Sequence, residues 1–319
     1  MSSVPDTSAT DVHVTAIVIS YQPELPRLRT LCERLRSQCR FIIVDNGSEA
    51  SVIDSLADCV GDEGQVLPMN DNVGIAAAQN AGAAAAMQDS DTRPEFLLFL
   101  DQDSLPDEDF VRVLKEEYLA LRERDPQIGA IGPALIDVRN GQLEPLHHES
   151  FGFYWKRRLN SNDLGGNYKV AGINGSGTFL ECETFASVGG FREDLFIDHV
   201  DTEWSMRARH RGLRLYITTK ASLRHEMGRG LEQFWLFGDR SFPSRAPLRH
   251  YYLFRNNVFL LSQPQMSKTW KFWSVVKLAF TFCYFGIFSP DRGEQRAMMR
   301  DGIRDGRGGK LGKFGEAAG

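Results

Sequence analysis

Two carboxylates, Asp101 and Asp103, follow the apolar run FLLFL at residues 96–100. A run without polar residues is typical of a central strand that is buried on both faces. Acids two positions apart on the loop that leaves such a strand can converge on one point, and carboxylate oxygens are ligands that suit Mg²⁺ and Mn²⁺. The plainer interpretation is a solvated helix cap, but the hydrophobic strand that delivers the two acids favours a metal site for a nucleotide diphosphate.

A second acidic cluster, FIDHVDTEW at residues 196–204, contains Asp198, Asp201 and Glu203. Acids at the start of a helix are favourable through the helix dipole alone. A carboxylate there can also remove a proton from a hydroxyl group when its surroundings tune its pKa. His225 follows a predicted strand and could complete a metal site as a neutral imidazole, although a histidine on a loop is more often merely exposed.

These residues need a scaffold that carries them to one place. Strand patterns alternate with helix patterns along the first two thirds of the chain, and the predicted strands cover residues 12–19, 41–44, 65–69, 96–100, 128–136 and 213–218. Such alternation predicts an α/β fold with a mostly parallel sheet. Ligands bind beyond the carboxyl ends of such strands. Asp45 follows the second strand and Asn72 and Gly74 follow the third, so we expect them beside Asp101.

The composition excludes several classes of protein. The formal net charge is -5, and no basic stripe occurs in the first two hundred residues, so nothing indicates nucleic-acid binding. The five cysteines form no CxxC pair, which argues against a disulfide framework or a zinc knuckle and favours a reducing compartment. Residues 1–11 are polar and lack the apolar core of a secretory signal, so we expect a disordered N-terminus and a cytoplasmic protein.

The segment at residues 270–289 is rich in aromatic residues and approaches the length of a membrane span. Lys277 lies in its middle, and a charge at the centre of a bilayer is costly. The segment therefore predicts either a helix lying at a membrane interface, on the inner face of the cytoplasmic membrane, or a terminal helix packed on the domain. We predict a catalytic domain over 12–230, a helical segment over 231–289 and a flexible tail over 290–319, with a helix starting after Ser104 and a loop or hairpin over 137–169.

Five motifs together resemble glycosyltransferase family 2 over roughly residues 12–260. They are DNGS at 45–48, NDNVGIAAAQNAG at 70–82, LFLDQDS at 98–104, GGFREDLFIDHVDTEWSMRA at 189–208 and HxxG at 225–228. The variants LFLDQDS, LFIDHVDTEW and RHYYLFRNN are similar in particular to the bacterial rhamnosyltransferases of that family, those of polysaccharide assembly and the second rhamnosyltransferase of rhamnolipid synthesis.

The resemblance implies a GT-A fold, a C-terminal helical extension and transfer from a nucleoside-diphosphate sugar, dTDP-L-rhamnose, with inversion at the anomeric carbon. It also implies Mg²⁺ or Mn²⁺ as cofactor and a glycolipid or saccharide as acceptor. Asp103 would bind the metal directly, Asp101 would contact the ribose or the metal shell, and His225 would be a further metal ligand. Asp201 would be the base. The nucleotide pocket would be formed by Asp45, Asn72, Gly74 and Asn80.

Two positions stay open under this resemblance. Many family members have an acid immediately before the catalytic aspartate, where this chain has Val200, so the roles of Asp198, Asp201 and Glu203 are not divided by the sequence. Arg255 is either a plain arginine on a helix face or a clamp on the diphosphate, which the geometry of a guanidinium group suits.

The same residues bear on three other functions. A UDP- or GDP-hexose could replace the dTDP sugar within the same family. A nucleotidyltransferase would bring a glycine-rich phosphate loop near the first strand, and SYQPELPRLR contains no glycine. A non-catalytic nucleotide-sugar-binding protein has no chemical need for Asp103, Asp201 and His225 together.

Overall fold

The structure is a computed structural model that describes residues 13–61, 64–88, 93–138, 141–150, 153–225, 231–235, 239–243 and 246–316. The N-terminus that we predicted to be disordered, residues 1–11, lies outside the described residues.

The first part of the chain forms four parallel strands in the order β3-β2-β1-β4. These are β1 (Val14–Ser20), β2 (Arg40–Asp45), β3 (Gly64–Pro68) and β4 (Phe96–Asp101), joined by α1 (Leu25–Arg36), α2 (Ala50–Val60) and α3 (Ile75–Gln88). In the register of the sheet, Ser20 lies opposite Asp45 and Ile19 opposite Asp101. The carboxyl ends of these strands therefore meet at one edge, as the alternating pattern predicts.

The second part extends this sheet beyond β4. Its described elements are β5 (Leu105–Pro106), α4 (Phe110–Arg124), β6 (Ile128–Asp137), β7 (Leu146–Ser150), β8 (Phe153–Arg157), β9 (Asn167–Val170), β10 (Phe179–Glu181), α5 (Cys182–Val188), α6 (Val200–His210), β11 (Arg214–His225), β12 (Leu231–Trp235) and β13 (Asp239–Pro243). Strand β10 is antiparallel to β4 and β6, whereas β6 and β11 are parallel. The predicted α/β class with a mostly parallel sheet is thus confirmed.

The core lies on both faces of the sheet. On one face, Phe96 stacks on Phe179 and meets Tyr118 of α4 edge-on. On the other face, α3 packs closely because Gly82 has no side chain: a Cβ atom there would lie 2.4 Å from the side chain of Ile17. This close packing fixes where the N-terminus of α3 meets the edge of the sheet.

The helix expected after Ser104 starts later than predicted. Residues Leu105–Pro106 form the short strand β5, antiparallel to β11, and the helix begins at Phe110. Ser104 is buried, and its hydroxyl group lies 2.7 Å from that of Ser176. It therefore supports the loop after β4 and does not cap a helix.

A helical segment was predicted over 231–289, but β12 and β13 occupy its first part, which corrects the prediction. Three helices follow these strands, α7 (Pro247–Leu261), α8 (Lys268–Phe288) and α9 (Arg292–Gly308). The first two were predicted, but a flexible tail over 290–319 was expected where the structure has α9, and this corrects the prediction. A Cβ atom on Gly302 would lie 2.5 Å from the carbonyl oxygen of Tyr251, and one on Gly306 would lie 2.4 Å from that of Arg255. The glycines that suggested flexibility instead allow α9 to touch α7.

Candidate active site

A cleft of about 530 Å³ lies at the carboxyl ends of the four parallel strands. Each of these strands is followed by at least one residue that lines the cleft. The opposite wall is formed by Asn174, Gly175, the loop of residues 196–201 and Arg249. The predicted site residues that meet in this cleft are Asn72, Gly74, Asp101, Asp103, Asp198 and Asp201.

The loop after β3 is held by side-chain amides. Asn46 donates through Nδ2 to Oδ1 of Asn72 at 3.2 Å, and its own Oδ1 accepts from the amide of Val73 at 2.9 Å. Gly74 has a φ of +87°, and a Cβ atom there would lie 2.6 Å from the carbonyl oxygen of Phe196. Glycine is therefore needed both for its backbone conformation and for this close approach.

Asp45 is fully buried and does not line the cleft. Its carboxylate accepts from the amide of Ser48 at 2.8 Å, from the Ser48 hydroxyl at 2.6 Å and from the Ser20 hydroxyl at 3.4 Å. The carboxylate thus fixes the turn after β2. The neighbouring residue Asn46 takes the position in the cleft that we had predicted for Asp45.

The loop after β4 presents Asp101 and Asp103 to the cleft. The amide of Asp101 donates to the hydroxyl of buried Ser176 at 3.2 Å, and Gln102 accepts from the amide of Tyr21 at 2.7 Å. The pair of acids therefore lies on a well-supported loop. Within the described part of the chain, no group of three histidine, cysteine or acidic side chains could hold an ion by itself.

His225 ends β11, where its backbone pairs with Asp137. Its side chain lies outside the described part of the molecule, so its role as a metal ligand stays a prediction.

The acidic loop, residues 193–199, has an unusual backbone. Phe196, Asp198 and His199 have φ angles of 62°, 67° and 64°, a left-handed conformation that costs free energy for residues other than glycine. Asn256 of α7 stabilises it, because its fully buried Nδ2 lies 2.8 to 2.9 Å from three carbonyl oxygens of the loop. Those oxygens belong to Leu195, Ile197 and Asp198.

Asp201 lies in the first turn of α6, at the inner end of the cleft. Its carboxylate accepts from the amide of Gly175 at 3.2 Å and from that of Thr202 at 2.7 Å. Burial raises the pKa of Asp201 above the ordinary value for aspartate, and the nearby charge of Asp198 adds to this effect. A raised pKa makes the ionised carboxylate a stronger proton acceptor, as a general base requires.

The other two acids of the cluster have different surroundings. Asp198 binds Arg249 through two hydrogen bonds, of 2.6 and 3.2 Å. Glu203 is buried and paired with Arg207 at 2.8 Å, and Arg207 also donates to backbone carbonyls of the preceding loop. Glu203 therefore stabilises the first turn of α6, while Asp198 and Asp201 face the cleft.

Besides Asp45, two further predicted nucleotide-binding residues, Asn80 and Arg255, do not line the cleft. Asn80 exchanges two hydrogen bonds of 2.8 Å with the backbone of Phe191, so it supports the loop before the acidic residues. Arg255 is buried, donates to the carbonyl oxygens of Leu195 and Gly312, and lies over the ring of Tyr252. Its guanidinium group supports the acidic loop, which corrects the prediction that it clamps a diphosphate.

Residues that line the cleft and were not predicted as site residues include Asn46, Gln102 and Arg249. The first two have a signal in the sequence, because each stands beside an acid that follows a strand. Arg249 has a weaker one: it precedes the apolar run of α7, whereas Arg255 lies inside that run.

A second pocket of about 140 Å³ shares Asp201 and Asn174 with the cleft. Its other walls include His147 of β7 and Met206 of α6. Burial lowers the pKa of His147 to about 4, helped by the charges of two lysines, so this imidazole is neutral at ordinary pH. The side chain of Asp201 thus lies between two cavities.

Comparison with known proteins gives a consistent result. Residues 15–168 match the family model described as Glycosyl transferase family 2. Over 251 residues the chain is 29% identical to the dTDP-rhamnosyl transferase RfbF of Shigella flexneri. The aligned region covers 78% of this chain and 80% of that protein.

Two solved structures also align with this chain, the first of them with a similar fold. GalNAc-T7, crystallised with UDP, GalNAc and Mn²⁺, aligns with a TM-score of 0.57 and 12% identity over 93% of this chain. The alignment spans 56% of the GalNAc-T7 chain, so this chain corresponds to little more than half of it. TarS of S. aureus aligns with a TM-score of 0.47 and 14% identity, over 88% of this chain and 45% of the other.

Proposed function

We propose that this chain, whose residues 15–168 match the model of glycosyltransferase family 2, transfers L-rhamnose from dTDP-L-rhamnose to a hydroxyl group. The similarity to the Shigella flexneri dTDP-rhamnosyl transferase supports this choice of donor. The volume of the cleft suits a nucleotide sugar, since ligand pockets of this kind measure roughly 300–1,000 Å³. The donor would lie across the strand ends, between Asn46 and Asp103.

A divalent metal fits the residues of the loop after β4. Asp101 and Asp103 line the cleft on one short loop, and Mg²⁺ is commonly bound by one or two carboxylates together with phosphate oxygens of the substrate. Asp103 and Asp101, with His225 as a further ligand, would hold the ion. When bound, Mg²⁺ or Mn²⁺ would neutralise charge on the departing diphosphate.

Arg249 would contribute a second positive charge. Its side chain is partly exposed in the cleft and is already paired with Asp198. A guanidinium group has five N–H donors, so those of Arg249 that Asp198 does not occupy can bind a phosphate. We therefore assign to Arg249 the contact with the diphosphate.

Asp201 carries the proposed chemistry, because this buried carboxylate with a raised pKa lies between the two cavities. With the donor in the cleft and the acceptor hydroxyl in the second pocket, Asp201 would take the hydroxyl proton. The acceptor oxygen would then bond to the anomeric carbon as the bond to the diphosphate oxygen breaks on the opposite side. This single displacement inverts the anomeric centre. The acceptor is a glycolipid or a saccharide.

A donor screen by thermal denaturation tests the proposal, because a ligand that binds the folded state raises its apparent stability. We would compare dTDP-rhamnose, dTDP, UDP sugars and GDP sugars, each with and without Mg²⁺ or Mn²⁺. Stabilisation by dTDP compounds that depends on the metal is expected. Preference for a UDP or GDP sugar would refute the assigned donor, and the Asp103→Asn variant should lose the metal dependence while retaining its fold.

Asp201→Asn and Asp198→Asn form a matched pair for the base. Both remove one charge from the cleft, but only the first removes the carboxylate that lies between the cavities. Turnover should collapse in Asp201→Asn while donor binding persists. Near-normal turnover in Asp201→Asn would show that Asp201 is not the base, and Asp198 would then be assigned that role.

A further inference from the structure

The outward face of α8 is strongly apolar. The helix contacts the rest of the protein through residues spaced three or four apart, which lie on one side: Trp270, Ser274, Leu278, Thr281 and Phe285. The opposite side is exposed, with Phe272 62% and Ile287 58% accessible to solvent. Phe288, the last residue of the helix, is 61% accessible. Further exposed apolar residues on the helix are Trp273, Val275, Val276 and Phe280.

This arrangement departs from the usual polarity of a surface helix. A helix on a water-soluble domain normally turns its apolar stripe to the core and its polar residues to water. In α8 the buried stripe is mostly apolar, with Trp270, Leu278 and Phe285, but large apolar side chains face outward as well. A contiguous exposed patch of this size is typical of a surface that binds a membrane or another protein.

The charged residues of α8 itself are all positive. The helix contains Lys268, Lys271 and Lys277 and no acidic residue. The side chain of Arg296 lies against its far end, because a Cβ atom on Gly286 would be 3.1 Å from Cγ of this arginine. Strand β8 packs against α8 and carries Lys156 and the exposed Phe153, which extend both the apolar patch and its basic rim.

We propose that this surface, the outward face of α8 with the adjoining end of β8, docks on a bilayer that contains anionic lipids. Apolar side chains with lysines along their edge are the pattern of a helix lying in the membrane interface. Two copies of the chain meeting through the same face would bring these lysines together, and like charges oppose such contact. Among the described helices only α8 is long and apolar enough to span a bilayer, but spanning would strip its buried stripe from the protein.

The position of the patch has a consequence for the acceptor, and this step rests on the proposed function. Strand β8, which packs against α8, pairs with β7 so that Lys156 lies opposite His147, and His147 lines the second pocket beside Asp201. Docking through α8 would therefore hold this pocket close to the bilayer surface. Of the two acceptor classes, the structure thus favours a hydroxyl group carried on a membrane lipid.

Vesicle sedimentation of the full chain tests the docking without donor or acceptor. We expect the protein to sediment with vesicles of phosphatidylcholine and phosphatidylglycerol, less with phosphatidylcholine alone, and less again at high salt. Replacing Val276 and Phe280 together with serine should weaken binding by at least about tenfold. Lys271→Glu should weaken it by about fivefold or more.

Leu164→Ser is the matched control, because Leu164 is 56% exposed on another part of the surface. It should sediment like the unchanged protein, and all variants should keep their melting temperature and their donor-induced stabilisation. Failure to bind either vesicle, or equal binding by all variants, would overturn the docking. Self-association that the Val276 and Phe280 substitutions abolish, without vesicle binding, would identify a second copy as the partner. Because donor binding is measured separately, a failure of docking leaves the proposed function standing.

Discussion

Replacing Gly74 with alanine tests how the donor side of the cleft supports the acidic loop. Gly74 precedes α3, and the next amide, that of Ile75, donates to the carbonyl oxygen of Phe196 at 2.8 Å. A Cβ atom at position 74 would lie 2.6 Å from that oxygen and 2.9 Å from Cα of Phe196. The new methyl group must therefore push the backbone of the acidic loop.

The chain offers a matched control for this substitution. Gly212 has a φ of +88°, almost equal to the +87° of Gly74, but a Cβ atom there would have no neighbour within 4 Å. Gly212→Ala therefore costs only the free energy of placing alanine in the left-handed conformation, about 1–2 kcal/mol. Gly74→Ala incurs the same cost and, in addition, about 1–3 kcal/mol for overpacking. The difference between the two variants isolates the contact with Phe196.

Both variants would be compared by denaturant unfolding and by turnover of the sugar donor. We expect Gly74→Ala to lower kcat/KM by about a hundredfold, because a displacement of about 1 Å in a catalytic group has an effect of that order. Gly212→Ala should stay within about twofold of the unchanged protein. Equal activity in the two variants, or a destabilised Gly74→Ala that remains fully active, would refute the proposed coupling between α3 and the acidic loop.

Three further predictions concern the residues around Asp201. Asp201→Asn should lower turnover by about a thousandfold with unchanged donor binding in thermal melts. In the unchanged protein the rate should fall with decreasing pH, because only the ionised form of this base accepts a proton. The fall should follow a pKa above 3.8, since burial raises the pKa of Asp201. Asn256→Ala should lower the free energy of unfolding by about 1–3 kcal/mol, measured in urea, because it leaves carbonyl oxygens of the acidic loop without their donor. Arg249→Gln should raise the KM for the donor about tenfold in initial-rate measurements, since a hydrogen bond to a charged group is lost, and an unchanged KM would contradict its assignment to the diphosphate.

Local patterns were enough to predict the sheet and the acids at its edge. Each strand is an apolar run that ends at a polar residue, and parallel pairing then brings those ends together whatever the details of the helices. Asp101 and Asp103 were predicted for this reason, and the structure brings both to the cleft. Asn72 and Gly74 follow from the same logic, since they lie directly after β3.

Long-range packing decided what the sequence could not reveal. Asn72 and Asn80 stand in one motif, but Asn80 lies within α3 and turns toward Phe191 instead of the cleft. Arg249 and Arg255 both stand in the motif RHYYLFRNN. Which of them reaches the cleft depends on how α7 is rotated about its own axis. That rotation is tied to the crossing with α9, whose glycines looked like part of a flexible tail when only their local composition was considered.

The segment after α9 makes the acidic loop depend on a residue that is synthesised long after the loop itself. Gly312 accepts from Arg255 and donates through its amide to the carbonyl oxygen of Asp194 at 2.8 Å. On a ribosome, the sheet and every carboxylate of the cleft are made well before this residue is added. A chain that stops between α7 and position 312 would contain every carboxylate of the cleft. It would still lack Gly312, one of the residues that support the loop carrying Asp198.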